Sequence, residues 1–344
     1  MGYAIFLKST HVYTKPNFKE AIGIEMSCSL QDKLIGTDQG VYVIGTTPPK
    51  MGTEDEVMSG IADKLLERLD RIAFDGIIVY DIQDESTRID TPRPFPFAQT
   101  RDPRHYAKLL HEKSGCGTIT YNSVAQGSRL EFEDWVEETT ETYHQNNIVL
   151  VGAPSSEGDY KFSLNDAYQS LEESHKSIAL GGVCIAERHQ KKGDEHERMV
   201  TKQKEGCHFF ISQAVYNAQA TIDMLTSYAR RCKQLDMKPA RVILTFTPCG
   251  SQKTLEFMKW LGISVPEATS YRILDADQPL KESIKICYTN LQMILESCAE
   301  LDLPLGLNIE SLTNRKEEID AAIQLYSLLR ARMELALSER AIGL

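Results

Sequence analysis

Short apolar segments alternate with amphipathic segments along nearly the whole chain, and this alternation restricts the fold more than any other feature. Eight segments are strand-like, at 41–46, 76–80, 117–121, 148–152, 178–185, 208–213, 241–247 and 305–309. Their cores are β-branched and continuously apolar, as in Ile77-Ile78-Val79, which is typical of parallel strands buried on both faces. Helical patterns lie between them, over 54–72, 130–144, 164–175, 194–205, 217–235, 251–261, 281–301 and 314–337.

Eight strands that alternate with helices predict an α/β fold, a single (β/α)8 TIM barrel. The alternative is a doubly wound open sheet, which would need a glycine-rich turn after an early strand, and no such turn has the required spacing. The Gly181-Gly182 pair lies inside a predicted strand and indicates close packing or a bulge. We predict an N-terminal extension over 1–40 that caps or covers the barrel base, the barrel over 41–337, and a C-terminal tail over 338–344.

The amino-acid composition limits the kinds of partner that we expect for this chain. The 344 residues carry a net charge of −11, which argues against nucleic acid as the main partner because phosphate binding needs a basic surface. No apolar stretch approaches the roughly 20 residues that span a bilayer, and the N-terminus does not resemble a signal peptide. Eight irregularly spaced cysteines are typical of reduced thiols in a cytoplasmic protein without a metal site. A homo-oligomer is possible.

The carboxyl ends of the predicted strands hold the candidate ligand-binding residues, because active sites of such barrels lie there. Gln213 ends the sixth strand just before a helix, and its amide offers both a donor and an acceptor to a flat heterocycle. The alternative is an amide that caps the following helix. Tyr80, Tyr121 and Tyr216 also lie at strand ends, where they could stack on a planar ligand or pack in the core.

Acid–base chemistry requires a titratable group near the same strand ends. We select Glu310, which directly follows the eighth apolar segment, and Asp81, which follows Tyr80, as candidate catalytic residues. A carboxyl group half buried in a barrel mouth would have a raised pKa, which suits a general acid. The alternative for each is a helix N-terminal charge or a salt-bridge partner. Other carboxylates near strand ends are Asp84, Glu85, Glu157, Asp159 and Glu187.

A basic cluster follows the fifth strand in this otherwise acidic chain. Arg188, His189 and Lys202 could hold a phosphate or the glutamyl tail of a ligand, and the histidine could also move a proton near neutral pH. We predict cofactor binding for these three residues; an ordinary solvated loop is the alternative. The proline-rich segment 91–97 follows the second strand and is either a stiff connection or a ligand-contacting loop.

Five segments, in order, resemble methylenetetrahydrofolate reductase. Pro48-Pro49-Lys50 after strand one is similar to the family's Pro-Pro-Arg, and Glu187-Arg188-His189 to its Glu-Val-His. The most specific match is Ile211-Ser212-Gln213, which resembles Ile-Thr-Gln and follows a Lys-x-x-x-Gly motif that begins at Lys202. Two shorter matches complete the set, at 244–248 and 312–315. The resemblance covers roughly residues 41–335 and implies a (β/α)8 barrel with tetrahydrofolate as substrate and FAD as the usual cofactor.

The chain departs from this family at several positions. The strand-one glutamate, taken as the proton donor to the folate, falls on Gly45, and the family's Arg-Gly-Asp falls on Gly152-Ala153-Pro154. The strand-four departure resembles the divergent, flavin-independent type of reductase, although that type keeps the strand-one glutamate that this chain lacks. The resemblance implies hydride transfer from NAD(P)H directly to a folate methylene group. In that reading Gln213 would bind the pterin. Two alternatives stay open: a folate-dependent one-carbon or methyl transferase, and a non-catalytic folate-binding regulatory protein.

Overall fold

Eight parallel strands close into a barrel in sequence order. The computed structural model describes residues 29–36, 39–84, 89–153 and 161–342. The strands are β1 Val41–Thr46, β2 Gly76–Val79, β3 Gly117–Ser123, β4 Asn147–Val151, β5 Ala179–Cys184, β6 Phe209–Ala214, β7 Arg241–Phe246 and β8 Leu305–Glu310. Each strand pairs with its neighbours, and β8 pairs with β1 to complete the ring. The predicted TIM barrel is therefore confirmed.

Twelve α-helices occur within the described ranges. They are α1 Leu30–Ile35, α2 Asp55–Leu69, α3 Pro103–Ser114, α4 Arg129–Glu137, α5 Leu164–Ser174, α6 Ala186–Lys192, α7 Glu195–Lys204, α8 Ala218–Gln234, α9 Gln252–Trp260, α10 Glu267–Leu274, α11 Pro279–Ser297 and α12 Lys316–Ala341. Sequence analysis missed α1, α3, α6 and α10. Helix α3 carries a recognisable start signal, because Asp102 caps it and Pro103 occupies its first turn. Helix α12 continues to Ala341, past the predicted start of the tail at 338.

The continuous apolarity of the strands reflects two separate hydrophobic clusters. Alternate residues such as Val43, Ile78 and Ile243 face the barrel interior. Their neighbours, including Ile77 and Leu244, pack outward against the helices. Each strand is thus buried on both faces, which is why its sequence does not alternate between apolar and polar residues.

The base of the barrel is closed by α1, the only described helix that precedes β1. Leu30 and Leu34 belong to the interior cluster. A Cβ atom added to Gly117 would lie only 2.7 Å from the Cβ of Leu30, so this close approach requires glycine. At the start of β7, the buried Arg241 donates hydrogen bonds to the carbonyl oxygens of Gly36 and Leu305, at 2.7 and 2.9 Å. This bond network connects α1 to two strands.

Two further observations concern the helices and the cysteines. Among the described residues, no helix is long and apolar enough to cross a membrane. The seven cysteines in those ranges are all free thiols, and six of them are buried.

Replacement of Leu34 with alanine is expected to destabilise the protein by roughly 2–5 kcal/mol, because its fully buried side chain would leave a cavity at the barrel base. The measurement is the free energy of unfolding in urea. Ile35→Ala is the matched control in the same helix, since Ile35 is 45% exposed and should change stability little. Equal effects of the two substitutions would show that α1 does not close the base.

Candidate functional site

Two tyrosines lie side by side inside the carboxyl end of the barrel. Tyr80 follows β2, Tyr121 belongs to β3, and both pack against the interior cluster. Their rings meet edge to face, with centroids 4.8 Å apart. Burial raises the pKa of both hydroxyl groups, so they remain neutral donors over the physiological pH range. The sequence prediction that these residues lie at strand ends agrees with their positions; their role in binding stays a prediction.

A buried asparagine on β8 joins this pair from the other side of the mouth. The Nδ2 atom of Asn308 donates to the hydroxyl of Tyr80 at 2.7 Å and to Oγ1 of Thr245 at 3.1 Å. Its Oδ1 atom is buried and accepts no hydrogen bond from the residues that the structure describes. An unpaired buried carbonyl is costly unless a ligand or water completes it. Sequence reasoning missed Asn308, although an asparagine within an otherwise apolar strand was the available signal.

Glu310 reaches the mouth from the end of β8. It is paired in register with Gly45 on β1. A Cβ atom added to Gly45 would lie 2.8 Å from Cε2 of Tyr80 and 3.1 Å from Cβ of Glu310. The space that a strand-one side chain would fill is therefore occupied by these two residues, and the carboxylate of this region comes from the adjacent strand.

Burial raises the pKa of Glu310, while a hydrogen bond with Tyr80 opposes part of that shift. The neutral, protonated form is thereby favoured relative to an exposed glutamate. Asp81 also has a raised pKa because of burial. Its carboxylate accepts hydrogen bonds from the backbone N–H of Ser123 at 3.0 Å and from Nε2 of Gln83 at 2.7 Å. Asp81 thus fixes the end of β3, whereas Glu310 is the carboxyl group that the tyrosines contact.

Gln213 and Tyr216, the other two predicted ligand contacts, form internal hydrogen bonds. The Nε2 atom of Gln213 donates to the carbonyl oxygen of Leu261 at 2.8 Å. The hydroxyl of Tyr216 donates to the carbonyl oxygen of Thr247 at 2.7 Å, and its side chain is buried in the outer core. A ligand contact by Tyr216 would require this core to open, while Gln213 is half-buried and keeps its second amide atom for other partners.

Glu187 holds the same chain segment that Gln213 contacts. Its Oε1 atom accepts from the backbone N–H of Ser264 at 3.0 Å, and its buried Oε2 atom has no hydrogen-bond partner among the described residues. Burial raises the pKa of this carboxyl group. Segment 261–264 is therefore attached to the ends of both β5 and β6. Of the other carboxylates singled out in the sequence, Glu85, Glu157 and Asp159 lie outside the described residues.

The three predicted cofactor-binding residues are directed to partners within the protein. The buried Nζ atom of Lys202 donates to the carbonyl oxygen of Val183 at 2.6 Å. Arg188 pairs with the fully buried Glu195 at 2.8 Å. His189 packs against His196, with ring centroids 5.2 Å apart, and burial lowers its pKa. A role for Lys202 or Arg188 in binding a cofactor phosphate would require these bonds to break.

The residues present do not fit a flavin of the kind that the resemblance implies. The strand-four end carries Gly152 and Ala153, which provide no carboxylate, and Pro154 lies outside the described residues. Nor does the described part of the chain contain a group of three His, Cys, Asp or Glu side chains that could hold a metal ion.

The proline-rich segment 91–97 and α9 contact each other across the carboxyl end of the barrel. We call these two segments the roof. Nε1 of Trp260, at the end of α9, donates to the carbonyl oxygen of Thr91 at 3.0 Å. Phe95 packs edge to face on Phe257, with centroids 5.3 Å apart. Because the next residue, Leu261, is bound by Gln213 in β6, this roof connects the loop that follows β2 to the end of β6, and these two strands lie on opposite sides of the barrel.

Comparison with known proteins identifies a relative in both sequence and fold. An uncharacterized protein from Clostridium thermocellum, which binds two copies of 5-methyl-5,6,7,8-tetrahydrofolic acid, is 34% identical with a TM-score of 0.76, over 88% of this chain and 99% of that one. The chain belongs to the family of that folate-binding TIM-barrel protein. No protein-family profile matches the sequence, and no curated protein is similar to it. Its assignment to the reductases therefore stays a prediction.

A more distant solved structure shows the fold alone. The structure of apo-MsnO8 is 12% identical and has a TM-score of 0.51, over 86% of this chain and 98% of that one.

Glu310→Gln is expected to stabilise the protein more at pH 8 than at pH 4. Because burial raises the pKa of Glu310 in the folded state, ionisation favours the unfolded chain, so stability is lost as pH rises from the unfolded pKa through the folded pKa. Glutamine removes this dependence. Urea unfolding at both pH values measures the difference, with the exposed Glu300→Gln as control. The same increment at both pH values would contradict the raised pKa.

Proposed function

We propose that the barrel mouth formed by Tyr80, Tyr121, Asn308 and Glu310 binds a reduced folate. The observation that carries this proposal is the unpaired, buried Oδ1 atom of Asn308 beside two tyrosine rings, in a chain from the same family as a methyltetrahydrofolate-binding protein. That protein binds two copies of its ligand. We propose that this protein can likewise bind more than one folate group.

The chemistry of the mouth matches a pterin. The pyrimidine ring of a reduced pterin is planar and carries adjacent N–H groups on one edge, which require acceptors within a mostly apolar site. Oδ1 of Asn308 and the carboxyl group of Glu310 supply oxygen atoms, while the aromatic rings of Tyr80 and Tyr121 supply a ring-binding wall. The free amide oxygen of Gln213, predicted from the sequence as a pterin contact, would add a further acceptor above them.

Tyr121→Ala is expected to weaken binding of 5-methyltetrahydrofolate at the mouth at least about tenfold, since the lost ring contact is worth roughly 1.4 kcal/mol or more. Isothermal titration calorimetry measures the dissociation constant. Tyr271→Ala is the matched control, because Tyr271 is 56% exposed on α10 and far in sequence from the mouth. Unchanged affinity in Tyr121→Ala, or no binding by the wild type, would refute the proposed site.

We further propose that the bound folate undergoes reduction of its methylene group. A nicotinamide would supply the hydride to the methylene carbon. Glu310, whose pKa is raised by burial, would give a proton to the folate nitrogen that leaves that carbon, which completes the balance. Glu310 on β8 lies beside Gly45 on β1, and the resemblance places the family's acid at Gly45. This position supports the proposed role of Glu310.

Glu310→Gln is expected to reduce the rate of methylenetetrahydrofolate-dependent NADH or NADPH oxidation by roughly 10²–10⁴-fold, because the amide cannot donate the proton. Folate affinity should change much less, which separates proton donation from binding. The rate is followed by nicotinamide absorbance. Asp81→Asn is the comparison variant, since Asp81 already accepts two internal hydrogen bonds and should affect turnover less.

The binding and turnover measurements together distinguish the reductase from its two alternatives. Folate binding by a wild-type protein that oxidises no nicotinamide, but transfers a methyl group to an acceptor, would favour the transferase. Folate binding without any turnover would favour the regulatory protein.

A further inference from the structure

A concave site lies between the proline-rich segment and α9, and none of its lining residues belongs to the barrel mouth. It is a cavity of about 710 Å³ between residues 89–94 and one face of α9. This volume lies within the range of about 300–1,000 Å³ that is typical of small-ligand sites. On α9 the lining residues are Gln252, Lys253, Glu256, Lys259 and Trp260, whose spacing places them on a single helix face.

The walls of this cavity are held in place before any ligand arrives. The guanidinium group of Arg93 lies over the rings of Phe257 and Trp260, at 5.2 and 5.1 Å from their centroids. The indole hydrogen bond from Trp260 to Thr91 fixes the same loop. Three prolines stiffen the segment further, so little conformational entropy is lost when a ligand binds between the loop and the helix.

The cavity combines an apolar wall with a basic rim. Ile89, Pro92 and Pro94 provide apolar surface, and Ile89 is 38% exposed. Lys253 and Lys259 are both exposed and form no ion pair with any described residue, although the protein is strongly acidic. The lining also contains Glu256, whose Oε1 atom accepts from Nε2 of Gln252 at 2.9 Å. Three cationic side chains, those of Arg93, Lys253 and Lys259, therefore line the cavity together with one internally bonded carboxylate.

We infer that this cavity, which we call the roof groove, binds an aromatic ring that carries a carboxylate tail, the chemistry of the aminobenzoyl-glutamate part of a folate. The ring would lie against Ile89, Pro92 and Pro94, and Lys253 and Lys259 would pair with the carboxylates of the tail. The identity of this ligand rests on the proposed function. The same chemistry has two sources: the tail of the folate in the barrel mouth, or a second folate molecule.

The test uses the complete protein and N-(4-aminobenzoyl)-L-glutamate, which lacks the pterin. Wild type is expected to bind this fragment, and the double variant Lys253→Glu/Lys259→Glu to bind it at least tenfold more weakly. Lys204→Glu/Lys233→Glu is the matched control, because it makes the same change in net charge at exposed positions on and next to other helices. Ile89→Glu tests the apolar wall separately, and thermal unfolding verifies that each variant folds.

Titration with 5-methyltetrahydrofolate identifies the source. If Lys253→Glu/Lys259→Glu removes one of two binding events, the groove holds a second molecule; if it weakens a single event, the groove holds the tail. Either result supports the inference. Absence of fragment binding by the wild type, or equal binding by both double variants, would overturn it.

The failure of this inference differs from the failure of the proposed function. Tyr121→Ala should weaken methylfolate binding at the mouth at least about tenfold and leave fragment binding unchanged. Fragment binding without any mouth binding would refute the proposed function alone, and mouth binding with an inert groove would refute this inference alone.

Discussion

In the barrel interior, small residues pack against large ones. The position of the candidate binding site depends on this complementary packing. Eight strands enclose a space that is wide enough for side chains but not for several large ones at one level. A glycine on a strand therefore faces a large residue of another element: Gly181 faces Phe209 of β6, and Gly117 faces Leu30 of α1. At the mouth the same relation brings Tyr80 and Glu310 over Gly45.

This arrangement separates the stabilising part of the barrel from the part that can bind. The lower levels are closed by Leu30, Leu34 and Arg241. The upper level contains Asn308 with an unpaired oxygen and Glu310 with a raised pKa, both surrounded by aromatic rings. Unpaired polar groups are costly in a core, and the presence of these two groups at the carboxyl end supports our proposal that this end binds a ligand.

The sequence alone could predict the fold because each strand is buried on both faces and is therefore continuously apolar. It also indicated Tyr80, Tyr121 and Glu310, since each lies next to an apolar segment. It could not predict the internal bonds of Gln213, Lys202 and Tyr216, because their partners, such as the carbonyl oxygen of Leu261, are set by tertiary packing. Asn308 was missed because attention to strand ends excludes a polar residue inside a strand.

The path of the chain between β7 and β8 has a consequence for how such a protein can diversify. Helix α11 alone returns the chain to β8, so α9 and α10 are an insertion that the barrel itself does not need. This insertion carries one wall of the roof groove and the segment bound by Gln213 and Glu187. Exchange of one contiguous stretch can therefore alter ligand preference above the mouth while the hydrophobic interior stays constant, which makes this stretch an interchangeable module of the fold.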